Sequence, residues 1–187
     1  MRIFNPRGPT SAVTAGPGSP LLHMEKFPGR NIWALVIGID GYHESSMLAD
    51  LQGCRADAND MASFLMGSLK APPENVIVLQ DEFATRTEIM KHFVEHLLRN
   101  DRIDAESFVV FYFAGHGSRD WQIRQDNRND PYTQESVETI CPYDHGICNN
   151  IYDPINSGQV HGISQPTLEG LLCAAERKGC SVVSTMY

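Results

Sequence analysis

The chain has 187 residues, 42% of them hydrophobic, which suits one globular domain with a core able to fold alone. Its formal charge of −8 and pI near 5.3 argue against the basic footprint of a nucleic-acid binder or of a protein held on a membrane surface. No apolar run approaches the ~18 residues a membrane-spanning helix needs, so a soluble protein is expected.

Residues 1–30 contain the Gly-, Pro- and Ser-rich stretch NPRGPTSAVTAGPGSP. Arg2 and Arg7 lie there without an apolar signal core, which argues against secretion. The lack of acids before Glu25 faintly resembles a transit peptide, but the prolines and glycines oppose the amphipathic helix such a peptide needs. The expectation is a disordered arm at 1–30 followed by one domain at 31–187.

NIWALVIGID (Asn31–Asp40) is a continuous apolar run ending at Gly and Asp, the pattern of a strand buried on both faces. CRADANDMASFLMGSL (Cys54–Leu69) sets Ala58, Met61, Ala62 and Leu65 on one helical face. ENVIVLQDE predicts a second strand. TRTEIMKHFVEHLLRN follows, with Thr85 and Glu88 as a capping box and Ile89, Phe93, Val94 and Leu97 as a helical stripe. SFVVFYF is the third strand.

After Gly117 the pattern lapses for about forty-five residues, far longer than an ordinary connection, which marks a functional or mobile segment. Order resumes at SQPTLEGLLCAAERKG, where Ser164 can cap a helix, Pro166 fits its first turn and Gly179 can end it. CSVVSTMY starts a fourth strand. Alternating strands and helices predict an α/β fold, a mainly parallel sheet covered by helices on both faces. Strands near 32–39, 75–80 and 107–113 should be parallel neighbours with the first in the middle.

In an open α/β sheet, chemistry collects outside the carboxyl ends of the strands. In SFVVFYFAGHGSRD (Ser107–Asp120), His116 stands where the third strand must exit, a natural place for a general base. Gly115 and Gly117 permit unusual backbone angles and close approach of a substrate, and the Gly117 N–H can aim at a developing oxyanion. A lone histidine more often just bonds a loop carbonyl. Glycines on both sides at a strand exit favour function.

WALVIGIDGY, LQGCRADANDM, FVVFYFAGHGS, ETICPYD and TLEGLLCAAERKG, in that order from Ile32 to about Gly179, resemble the large-subunit half of the caspase-like cysteine peptidases (peptidase C14). The likeness is to the metacaspase branch and its fungal relatives. It implies a caspase-like three-layer αβα sandwich and proteolysis by a cysteine–histidine dyad, of a kind linked to programmed cell death or stress responses. His116 matches the family's general base and Gly117 the residue whose N–H helps form the oxyanion hole. Asp57 of GCRADA matches an acid of the pocket that takes Arg or Lys, a carboxylate for a guanidinium. The alternative for Asp57 is a solvated acid near a helix N-terminus.

The chain departs from the family pattern in three places. The nucleophile segment, Asp-x-Cys followed by Ser-Gly just after the fourth strand, has no counterpart, so the sheet is expected to be incomplete at its C-terminal side and the chain inactive. Ser184 and Thr185 fall where that strand should be apolar, and Ala114 replaces a polar residue two positions before the histidine. With Asp57 matched but Ala114 unmatched, cleavage after Arg or Lys is only the better reading over cleavage after Asp. Cys180 precedes the strand, so it should lie at the opposite end of the sheet from His116, roughly 20 Å away for six residues.

The five cysteines (Cys54, Cys141, Cys148, Cys173, Cys180) are odd in number and unevenly spaced, which favours reduced thiols in the cytoplasm. A metal module is the first rival reading, from His92 and His96 at helical spacing or from Cys141, His145 and Cys148. The first pair lacks the HExxH glutamate and a third ligand, and the second set lacks the short spacing of a zinc knuckle. No organic cofactor is expected. The resemblance also brings in calcium, with oxygen donors in the loop Asp120–Asp144, but the spacing is not that of an EF-hand and a solvated loop is preferred. The second rival is a non-catalytic scaffold of the same fold. GHGSRD does not supply the G-x-S-x-G of a serine hydrolase. Expected partners are protein or peptide substrates, not nucleic acid or membrane, with a further chain able to pair at the open sheet edge.

Overall fold

The computed structural model describes residues 2–3, 31–124, 133–147 and 158–186. In chain order the elements are β1 (Arg2–Ile3), β2 (Ile32–Gly38), α1 (Cys54–Ser63), β3 (Val76–Gln80), α2 (Arg86–His92) and β4 (Phe108–Ala114). After them come β5 (Gly117–Arg124), β6 (Thr133–Ile140), β7 (Ile163–Ser164), α3 (Gln165–Glu176) and β8 (Ser181–Met186). Wider π-type turns continue α1 over Phe64–Ser68 and α2 over Phe93–Leu98, so both helices reach the lengths their apolar spacing predicts.

The main sheet runs β1-β8-β4-β2-β3. β3, β2, β4 and β8 are mutually parallel, with β2 between β3 and β4, as the order of apolar runs predicts. Every residue of β2 is buried, and its side chains alternate between two cores. Trp33, Leu35 and Ile37 meet Ile89, Phe93 and Leu97 from the second helical segment and Leu168 and Leu172 from α3. Ile32, Ala34 and Val36 meet Ala58 and Leu65 on the other face. This is the three-layer αβα sandwich that the resemblance implies. A sheet with both faces covered has no use for polar alternation, which is why its strands read as unbroken apolar runs.

The helix starts follow local chemistry. Thr85 caps α2 by accepting the Glu88 N–H at 3.3 Å, while the Glu88 carboxylate turns outward to Lys91. Ser164 stands at the start of α3, but its hydroxyl bonds the Thr167 hydroxyl at 2.9 Å rather than a backbone N–H. Gly179, at φ 88°, lets the chain leave α3 and enter β8.

Two expectations need correction. The long lapse after Gly117 holds a second sheet, β5-β6-β7, in which β5 and β6 form an antiparallel pair in register from Gly117↔Ile140 to Arg124↔Thr133. Neither strand carries a period-two apolar pattern, so the sequence hid them. The outer edge of β8 is not wholly open, because Arg2 and Ile3 pair antiparallel with Met186 and Thr185. Those two residues belong to the expected arm, of which residues 4–30 lie outside the described residues.

β8 forms despite its polar residues. Its parity sends Val182, Ser184 and Met186 toward the face lined by Val109, Phe111 and Phe113, where Ser184 is 4% exposed. Val183 points to the other face and stays 48% exposed. No helix of the described residues is long and apolar enough to cross a membrane.

Two positions carry clear energetic consequences. A Cβ on Gly38 would sit 2.4 Å from the Cys54 carbonyl oxygen and 2.6 Å from the Ala58 Cβ, so α1 lies directly on the backbone of β2. His96, half-buried beneath β2, donates Nε2–H to the Asn75 carbonyl at 3.0 Å and meets the Trp33 ring edge-on. Burial, with His92 adding to it against the Asn75 bond, holds its pKa below the usual histidine value.

Gly38→Ala should therefore lower the unfolding free energy by about 1–3 kcal/mol in chemical denaturation. Gly41→Ala, which meets open space, should change it by less than about 0.5 kcal/mol. A lowered folded-state pKa means that the unfolded chain binds more protons as pH falls. Stability should be full above about pH 6.5 and drop through the range below it, down to the folded-state pKa, and His96→Gln should flatten that slope in denaturation curves taken across pH.

Candidate active site

β2 and β4 pair in register up to Gly38↔Ala114, so the chain leaves both strands at one end of the sheet. From β2 the chain enters the loop that leads to α1. From β4, Gly115 and His116 lead directly into β5. His116 is thus a joint between the two sheets.

Each side of His116 has a partner. Its imidazole Nε2 lies 2.8 Å from the Ala49 carbonyl oxygen. A carbonyl only accepts, so Nε2 carries the proton, and in the neutral ring Nδ1 is the lone-pair nitrogen. The His116 N–H donates to the Tyr42 hydroxyl at 2.7 Å, and the two rings pack with centroids 5.2 Å apart. The His116 carbonyl accepts from the Cys141 N–H at 2.9 Å, and the Tyr42 hydroxyl donates to the Cys141 carbonyl at 3.4 Å. Burial, the largest influence, pushes the Tyr42 pKa well above that of free tyrosine, so the hydroxyl stays protonated and serves as donor and acceptor at once.

The flanking glycines act through space rather than through unusual angles. Neither Gly115 nor Gly117 has a positive φ. A Cβ on Gly115 would lie 2.9 Å from both the Tyr42 hydroxyl and the Phe113 ring, whereas one on Gly117 would lie 3.4 Å from the Thr139 carbonyl. Gly117 opens β5, opposite Ile140.

The loop that offers the Ala49 carbonyl is itself tied down. Leu51 N–H donates to the Asp40 carbonyl at 2.7 Å, and Tyr42 N–H to the Asp50 carboxylate at 3.4 Å. Asp40 also caps α1 from a distance, its carboxylate accepting the Cys54 N–H at 2.7 Å where Gly53 has no side chain to do so. Asp81 receives the N–H groups of Asp40 and Gly41 at 2.8 and 3.1 Å and pairs with Arg55 at 3.2 Å. Two carboxylates and one guanidinium thereby fix the exit of β2 and the start of α1.

Asp57 lies in the first turn of α1, at the same end of the sheet as His116, and is exposed. No ion pair among the described residues engages it.

The thiols are placed differently. Cys180 sits just before β8, whose first residue Ser181 pairs with Phe108, so it belongs to the far end of the sheet from His116. Its Sγ contacts the Ala175 carbonyl at 3.2 Å, and burial raises its pKa. Cys54 is half-buried, and its pKa is raised first by burial and then by the negative Asp40. Cys141 is fully buried in the core although its backbone touches His116, and Cys173 rides on α3. Cys148 lies outside the described residues.

His96 is committed to Asn75, while His92 lies 3.5 Å from Glu88. Among the described residues no group of three or more His, Cys, Asp or Glu could hold a metal ion. Of the loop Asp120–Asp144, residues 125–132 lie outside the described residues.

Tyr42 and the Ala49 carbonyl as partners of His116, and Asp40 and Asp81 as anchors of the β2 exit, carry almost no signal in the sequence. The one cue was the hydroxyl-bearing aromatic placed directly after the first buried run, in GIDGY.

Residues 31–167 match the family described as the Caspase domain, Peptidase C14. Metacaspase-3 of Arabidopsis thaliana is 25% identical over 150 residues, spanning 69% of this chain and 40% of the relative. Metacaspase-1A of Aspergillus oryzae is 26% identical over 155 residues, spanning 79% of this chain and 34% of the relative. This chain therefore covers well under half the length of these curated relatives. A solved structure of protein GSU0716 from Geobacter sulfurreducens shares the fold at a TM-score of 0.56 and 20% identity, over 81% of this chain and 48% of that one. With its parallel sheet, covering helices and matched sequence from 31 to 167, the chain belongs to the caspase domain family, Peptidase C14.

Proposed function

We propose that this chain is the histidine-bearing part of a cysteine endopeptidase, with His116 as general base, Gly117 N–H as oxyanion donor and Asp57 as a contact for a basic substrate side chain. The observation that carries the reading is the held imidazole. Its Nε2–H is fixed on the Ala49 carbonyl at the carboxyl end of β4, which leaves Nδ1 to take a proton. Family membership supports peptide-bond hydrolysis as the reaction.

In that reaction the Nδ1 lone pair of His116 takes the thiol proton and the thiolate attacks the scissile carbonyl carbon. The oxygen's negative charge then falls to backbone N–H donors, with Gly117 suited to be one. The imidazolium returns its proton to the leaving amine. Water next attacks the thioester, with Nδ1 again taking a proton, and the acid product leaves.

The register of β8 supports a place for the thiol just beyond that strand. Met186 pairs with Phe113, so the line of β8, carried two to three residues further, comes level with Gly115 and His116. Neighbouring strands lie about 4.8 Å apart, close enough for a side chain there to meet the imidazole. None of the four described thiols meets this requirement: Cys180 lies at the other end, Cys141 is shielded from substrate, and Cys54 and Cys173 belong to helices. Residues 1–187 alone are therefore expected to bind substrate without forming an acyl-enzyme. The odd number and uneven spacing of the cysteines support residence in a reducing compartment such as the cytoplasm. Because none of the four described thiols reaches His116, a scaffold that keeps the fold without hydrolysis is the second reading.

Peptides with Arg, Lys or Asp before the scissile bond should not be turned over by the 187-residue chain in any way that depends on His116. His116→Ala and Cys180→Ala should leave both turnover and labelling by a thiol-directed, substrate-like electrophile unchanged. A stoichiometric label on Cys180 that vanishes with His116→Ala would overturn this assignment. Extending the chain by an Asp-x-Cys-x-Ser-Gly segment and further strands should produce turnover that needs His116, and no turnover there would favour the scaffold.

In the extended protein, Asp57→Asn should lower kcat/KM for cleavage after Arg by roughly 10- to 100-fold, the scale of one lost charged hydrogen-bond partner. The melting temperature should hardly change, since Asp57 is exposed. Equal loss for Arg and Asp substrates would remove Asp57 from the pocket.

A further inference from the structure

We propose that Tyr42 is a positioning residue for His116, and that its hydroxyl does this by standing in the place of one hydrogen bond of the β5–β6 ladder. The inference rests on the reading of His116 as the base. Beyond Gly117↔Ile140, the next pair along this antiparallel ladder is His116 with Cys141. Only one of the two bonds expected of such a pair is direct, from Cys141 N–H to the His116 carbonyl at 2.9 Å.

The other bond runs through the phenol. His116 N–H donates to the Tyr42 oxygen at 2.7 Å, and the Tyr42 O–H donates on to the Cys141 carbonyl at 3.4 Å. An inserted oxygen lengthens that side of the pair, so the two strands part at His116. The chain can then leave the second sheet and join β4.

Room for the hydroxyl comes from Gly115, whose missing Cβ would lie 2.9 Å from it. The phenol is 8% exposed, so water is poorly placed to substitute for it. The ring also packs on the imidazole at 5.2 Å, on the residue whose Nε2 the Ala49 carbonyl holds. Backbone and ring of His116 are thus fixed separately, the first by Tyr42 and the second by Ala49. With the backbone loosened, the imidazole no longer reaches Ala49 at bonding distance all the time, and the second restraint weakens with the first.

The test is NMR on the intact chain and on Tyr42→Phe, which keeps the ring and deletes the oxygen. The His116 amide should exchange with solvent about tenfold or more faster in the variant, while amides in the middle of β2 do not change. Nitrogen-15 shifts of the imidazole should move from the Nε2–H form toward a mixture of both neutral forms. A residue that merely stabilised the fold would lower the melting temperature and leave that tautomer alone.

A folded Tyr42→Phe protein with unchanged His116 exchange and unchanged tautomer overturns the proposal. If Tyr42→Phe does not fold, 3-fluorotyrosine at position 42 decides. Its more acidic hydroxyl is a weaker acceptor, so the His116 amide proton should move upfield, and an unmoved amide overturns the proposal. None of these readouts requires turnover. The assays of the extended protein test whether His116 is a base, and these spectra test whether Tyr42 holds it.

Discussion

Seven consecutive residue pairs join β2 to β4 in parallel, from Ile32↔Phe108 to Gly38↔Ala114, and nearly everything else in the molecule is arranged around them. Both strands are shielded on two faces, so their peptide groups cannot turn to water and must satisfy each other. Parallel direction then forces both chains out at the same end. At that end their onward loops bring together Ala49, Tyr42 and Asp40 from one side and Gly115, His116 and Gly117 from the other. Had the pairing been antiparallel, the same residues would lie at opposite ends.

The close approach of α1 to Gly38 belongs to the same constraint. With no side chain at that position, the helix settles on the strand backbone, and Asp40 can cap the helix start while its main chain is held by Asp81. A bulkier residue at 38 would lift the helix and with it the exposed carboxylate of Asp57. Shape at the core thus governs chemistry at the rim.

The parts written in long apolar runs were legible. β2, β3, β4 and the helices with Ile89, Phe93 and Leu97 or with Ala58 and Leu65 follow from periodicity alone, because burial on known faces leaves a repeating mark. β8 was legible too, though Ser184 shows that one small hydroxyl fits a buried position beside Phe111. The hairpin of β5 and β6 was not, since its pairing rests on backbone hydrogen bonds that any residue supplies. Around the histidine, His116 stands out in the sequence because glycines flank it at the end of a strand. Its holders do not: Ala49 acts through a carbonyl that every residue owns, and Tyr42 acts from seventy-four positions away. Asp40 and Asp81 fix the loop by accepting main-chain N–H groups, an arrangement that composition cannot reveal.

His116 occupies a joint between two sheets, which α3 also links through β7 and β8, and a joint has its own mechanics. When one body turns on another, points far from the pivot sweep wide arcs while the pivot hardly travels. The paired ribbon of β5 and β6 extends eight residues away from that pivot. Whatever touches its outer pair, Arg124 and Thr133, reaches the imidazole only through the backbone pairs that lie between. The length of the ribbon thus sets how far such a contact stands from the reactive ring.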